Sequence, residues 1–82
     1  MFSWLDPAIF LIRVRRGELT VVRGQVSRRF LEDCEDLITD AGVVRGKIRG
    51  VRREGTVSLD FSREIPSAFH QRFRNSFYFH RR

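Results

Sequence analysis

Seven basic side chains stand out by type and spacing. Arg13 and Arg15 lie two residues apart, as do Arg45, Lys47 and Arg49, and Arg72 and Arg74 form a third group near the C-terminus. In an extended chain alternate residues point to the same side, so the first five are placed to gather on one face of a sheet. Guanidinium forks and an ammonium on such a face suit phosphate oxygens, and each phosphate they neutralise releases counterions. Two plainer roles fit the same residues: a face kept in water by charge, or edge strands guarded against pairing. Arg72 and Arg74 flank Phe73, so on a helix they straddle its apolar stripe. They offer an extra phosphate or acidic-partner contact, or favourable charge near a helix C-terminus.

Other chemistries find little support. One cysteine, Cys34, allows no intramolecular disulfide, which fits a reducing compartment. Together with His70 and His80 it makes no zinc spacing. Cys34 shares helical spacing with Phe30 and Leu37, so a small buried hydrophobe is expected rather than a reactive thiol. There is no glycine-rich phosphate loop, metal motif or nucleophile–base pairing. The expectation is a non-enzymatic domain with no cofactor.

The elements that must position the cations follow from periodicity. Phe10–Arg15 alternates as a strand, Arg16-Gly17-Glu18 turns, and Leu19–Arg23 closes a hairpin. Ser27 caps a helix running to about Ala41, with Phe30, Cys34, Leu37, Ile38 and Ala41 on one stripe and Gly42 just past its end. Val44–Val51 is a third strand with Val44 and Ile48 facing inward, Arg52-Arg53-Glu54-Gly55 a turn, and Thr56–Phe61 a fourth strand. Pro66 opens a second helix whose stripe is Ala68, Phe69, Phe73 and Phe77. Tyr78, Phe79 and His80 continue it or leave as a tail. Phe30, Leu37, Ile48, Leu59, Phe69 and Phe73 are the expected core.

The two halves, about residues 10–42 and 43–80, resemble each other: Val26, Ser27 and Phe30 match Ile65, Pro66 and Phe69 at one common offset. A duplicated ββα unit gives an α+β fold, ββαββα, in which both helices cover one face of a four-stranded antiparallel sheet. The other face stays open to water. It collects Arg13, Arg15, Arg45, Lys47 and Arg49 among hydroxyl residues. Phe10 and Phe61 point inward, so base stacking is not expected there.

The 82 residues suit a single domain, residues 1–82, and 41% hydrophobic content suffices for a core without metal or disulfides. The formal charge is +6, with fifteen arginines and one lysine. That surplus favours anionic partners. Negative charge concentrates on the first helix, in Glu32, Asp33, Glu35, Asp36 and Asp40. Met1–Ile12 is apolar but interrupted by Asp6-Pro7, short of the roughly 20 residues a spanning helix needs, and without signal-peptide features. Integral membrane insertion is not expected, and a cytoplasmic location is. Met1-Phe2-Ser3-Trp4-Leu5 either caps the core or a partner surface, or dips into a membrane interface.

Gly46-Lys47-Ile48-Arg49-Gly50-Val51-Arg52-Arg53, Leu59-Asp60-Phe61-Ser62, Ile65-Pro66 and Gln71-Arg72-Phe73-Arg74-Asn75, with Phe30-Leu31-Glu32-Asp33-Cys34, resemble a bacterial family of small basic proteins of unknown function. The resemblance spans about residues 12 to 77. It implies a natural domain and supplies no activity or site residue. Its members often begin with a membrane-spanning segment, from which this chain departs. The leading expectation for function is sequence-tolerant binding of nucleic acid, RNA ahead of DNA, through phosphate contacts. The alternatives are a protein-interaction module, either a homodimer or an adaptor for an acidic protein, and peripheral attachment to an anionic membrane.

Overall fold

The computed structural model describes residues 8–80; the expectation placed on Met1–Leu5 falls outside them. Six elements follow in the expected order: β1 (Ala8–Arg15), β2 (Glu18–Arg23), α1 (Arg28–Ala41), β3 (Arg45–Arg53), β4 (Thr56–Phe61) and α2 (Ser67–His80). The strands form one antiparallel sheet in the order β2-β1-β3-β4.

Local chemistry explains the hairpins and the helix ends. Both hairpins turn on two residues with positive φ, Arg16 (56°) with Gly17 (75°) and Glu54 (51°) with Gly55 (81°). This conformation matches the right-handed twist of the flanking strands. The Ser27 hydroxyl accepts the Phe30 N–H at 3.1 Å and caps α1. At the other end Gly42 is left-handed, its N–H donates to Thr39 O, and the Val43 N–H donates to Ile38 O. This is the paired closure in which an apolar residue after the glycine packs back on the last turn, and Val43 and Ile38 are both buried.

The two ββα halves meet along β1 and β3. Ile12 lies opposite Ile48 at the centre of the β1–β3 ladder, with Phe10 opposite Gly50 on one side and Val14 opposite Gly46 on the other. Each of these two larger residues therefore meets a glycine, and the Phe10 ring lies across the space a side chain at Gly50 would need. Arg28 and Ser67 open the helices and Ala41 and His80 close them, each pair 39 positions apart.

Phe10, Ile12, Val14, Ile48 and Leu59 from the sheet meet Phe30, Cys34, Leu37, Ile38 and Phe73 from the helices in one buried cluster. The Phe10 ring stands 6.3 Å from Phe30 of α1 and 5.9 Å from Phe77 of α2, and those two rings are 5.3 Å apart. One strand ring touched by both helices places both on the same sheet face. Burying such aromatics supplies much of a small domain's stability.

Three details of the sequence reading change and one alternative is resolved. Val44 is exposed rather than inward: the strand starts one residue later, Val44 O accepts the Gly17 N–H, and the helix closure turns Val43 inward in its place. Ala68 is exposed and Ala41 half-buried, because each lies at the margin of its stripe. Phe69 is half-buried, with the Arg72 guanidinium 5.0 Å above its ring. Tyr78, Phe79 and His80 continue α2 to its end.

Candidate functional site

The residues alternating with the buried ones point to the open face. From β1 these include Arg13 and Arg15, and from β3 Arg45, Lys47 and Arg49. Because β1 and β3 are neighbours at the middle of the sheet, Arg13 stands directly opposite Lys47 and Arg15 directly opposite Arg45. Facing Cβ atoms of such pairs are about 4.5–5.5 Å apart. The cations thus form a double row along the two central strands. The edge strands carry Thr20 on β2, and Thr56, Ser58 and Asp60 on β4, at the corresponding positions.

Arg13, Val14, Arg15, Arg45, Gly46, Lys47, Ser62 and Glu64 line a cleft of about 370 Å³ at the end of this row. It continues past Lys47 and Ser62 into a second depression of about 450 Å³ lined also by Arg49, Asp60 and Phe61. Ser62 fixes the junction: its Oγ accepts the Lys47 N–H at 2.9 Å and its N–H donates to Lys47 O at 3.0 Å.

Charge pairing divides the five sheet cations. Asp60 takes Arg49 at 3.4 Å and Arg53 at 3.1 Å. The Arg53 hydrogen bond, then the charges and hydrogen bonding of Arg53 and Arg49, hold the Asp60 carboxyl below its ordinary range against an opposing desolvation. The other ion pairs among the described residues are Arg72–Asp40 and His80–Asp33. Arg13, Arg15, Arg45 and Lys47 join none of these. Two carboxylates border them: Glu18, opposite Arg15 on β2, and Glu64 at the cleft. The Ser62 hydroxyl and the backbone N–H of Glu64 itself, then Arg45 and Arg63, hold the Glu64 carboxyl low.

Arg72 and Arg74 are not brought to this face. Both lie in the helix layer: Arg72 over Phe69 and 3.9 Å from Asp40, Arg74 with its guanidinium 5.5 Å above the Phe61 ring. Arg72 thus lies over a ring of its own helix, and Arg74 over a ring of β4. Of the sheet cations, Arg49 is tied to Asp60, a cross-strand neighbour that sequence alone does not disclose.

The remaining reactive residue types are engaged in structure. Cys34 is fully buried, and burial, then the charges of Asp33 and Glu35, push its thiol far up. His70 donates from Nε2 to Ile65 O at 3.0 Å while stacking on Phe61 at 4.0 Å. Asp33 Oδ2 accepts the Ser76 hydroxyl at 2.7 Å and lies 3.1 Å from His80 Nε2, joining the helices. In this group the carboxylate sits between serine and histidine, so the histidine cannot take the serine proton as a base does in a hydrolytic triad. Among the described residues no group of three or more His, Cys, Asp or Glu is placed to hold a metal ion. None of their helices is long and apolar enough to cross a membrane.

No curated protein and no solved structure matches the chain. A model of a family described as proteins of unknown function (DUF3634) matches residues 5–82, nearly the whole of an 82-residue sequence, and the chain belongs to that family.

Proposed function

We propose that this domain binds nucleic acid, RNA or DNA, without strong sequence preference and without catalysing a reaction. The β1–β3 row would hold phosphates. The observation that carries this reading is the direct facing of Arg13 with Lys47 and of Arg15 with Arg45 on the two central strands. Like charges directly opposite cost stability, and central strands have no free edge for charge to protect. Solubility alone does not require cations to oppose one another. A polyanion laid along the row would offset their repulsion and release counterions.

Among the described residues no ring is left free on this face for base stacking: Phe10 is in the core, and Phe61, though it borders the second depression, stacks on His70 and packs against Phe73. Backbone and shape contacts then dominate, and duplexes should bind at least as well as single strands. The test is a gel-shift panel of duplex DNA, duplex RNA and single strands across a salt series. A log–log salt slope of about −3 to −4 would fit four phosphate contacts; no binding at low salt would refute the reading.

A second reading, a protein-interaction module that pairs with itself or with an acidic protein, is favoured by Tyr78 and Phe79, which are 49% and 80% exposed on the last turn of α2. Aromatics exposed in this way are enriched at protein interfaces.

A further inference from the structure

The cleft at the end of the cationic row contains an anion of its own. Glu64 lines it together with Arg13, Arg15, Arg45 and Lys47. The loop after β4 brings it there. Ser62 is bonded to the Lys47 backbone in both directions, which brings the chain two residues later to the mouth of the cleft. Gly46 leaves the room: a Cβ there would come within 3.1 Å of Ser62 Oγ and 3.5 Å of Glu64 Cβ. Because Ser62 Oγ accepts the Lys47 N–H, its own proton is free to serve a carboxylate. The depressed Glu64 carboxyl, with Ser62, Arg45 and Arg63 among its causes, agrees with that placement. Glu64 is also exposed, so its side chain can swing out without disturbing the core.

We propose that Glu64 is a built-in competitor of the phosphate site, a carboxylate at the mouth of the Arg13–Arg15–Arg45–Lys47 cleft that a bound phosphate must displace. This rests on the nucleic-acid reading and adds a specificity-determining residue to it. Glu64 lowers affinity for a single phosphodiester contact, which carries one charge. Groups of higher charge density, such as a terminal phosphomonoester, overcome it more readily. The domain is thereby biased toward ligands that neutralise several of its cations at once.

The test compares Glu64→Gln with Glu54→Gln. Both remove one negative charge, but Glu54 lies in the β3–β4 turn at the far end of the sheet, about 25–30 Å along β3 from Arg45 at strand rise. Affinities for a fluorescent duplex are measured by anisotropy at two salt concentrations, with and without a 5′-phosphate on the duplex. Glu64→Gln should tighten binding about three- to tenfold and shrink the preference for the 5′-phosphorylated duplex. Glu54→Gln should change affinity less than about twofold, since screening removes most of an effect at that distance. Equal effects of the two variants, with the wild type binding normally, would overturn this inference and leave the nucleic-acid reading standing. A wild type that binds no duplex would overturn both.

Discussion

Replacing Gly50 by alanine sets one methyl group against one phenyl ring. The new Cβ would fall inside the space held by Cδ2, Cε2 and Cζ of Phe10, so the ring must move. It has little room, being 2% exposed and in contact with the Phe30 and Phe77 rings. Overpacking of a core costs about 1–3 kcal/mol, and full expulsion of the ring would approach the roughly 3–5 kcal/mol of a Phe→Ala change. Alanine regains about 0.5–1 kcal/mol over glycine within a strand. The net expectation is a loss of about 2–3 kcal/mol, or a fall in Tm of about 10–20 °C for a domain of this size. Urea and thermal unfolding of Gly50→Ala, Phe10→Leu and the double variant measure it. In the double variant the smaller leucine side chain should restore part of the loss, giving a coupling of at least about 1 kcal/mol. A Gly50→Ala protein within about 0.5 kcal/mol of wild type, which is the range of an ordinary surface change, or strict additivity, would refute the packing argument and the register on which it stands.

Three further outcomes follow from the same geometry. Lys47→Glu turns the like-charge pair with Arg13 into an opposite-charge pair; stability to urea should rise by about 0.2–1 kcal/mol while nucleic-acid affinity falls, and a loss of stability would contradict the proposed repulsion. Asp60, held low chiefly by Arg53, contributes stability that is present above the ordinary carboxylate pKa and is lost as pH falls through its depressed folded value. Asp60→Asn should therefore flatten the stability–pH profile below about pH 4, as followed by urea midpoints, and an unchanged profile would show the pairing to be inert. Cys34, fully buried and with its thiol pushed far up, should resist a thiol reagent in the native protein and react at once in denaturant; fast native labelling would contradict the helix packing.

Much of the fold was legible because its signals are local. Period-two alternation in Phe10–Arg15 and Thr56–Phe61, the Ser27 cap and the left-handed Gly42 all act within a few residues, and each appears as expected. The order β2-β1-β3-β4 is set by long-range register, which no local pattern encodes. That order gives the sheet cations their arrangement. Only the pairing of β1 with β3 turns Arg13, Arg15, Arg45 and Lys47 into a double row, removes edge protection as their explanation, and leaves Arg49 to Asp60. Charge alone groups Arg72 and Arg74 with them, yet both project from α2, with their guanidinium groups over Phe69 and Phe61. Val44 departs from strand alternation because the helix closure decides which of two adjacent valines turns inward. Glu64 gave no signal, since its place in the cleft depends on the Ser62–Lys47 bonds that bring a loop against β3.

The central claim is that a site, rather than net charge, holds the polyanion. The most direct measurement compares Arg13→Ala/Arg45→Ala on the sheet with Arg28→Ala/Arg29→Ala on α1, two exposed arginines in the helix layer. Both pairs remove the same charge, and both must first keep the wild-type Tm. Affinity for one duplex is then followed over a salt series. The sheet pair should weaken binding at least about tenfold at low salt and reduce the log–log slope by about 2, one for each lost phosphate contact. The helix pair should cost less than about twofold and leave the slope in place. Equal losses from the two pairs would contradict the account.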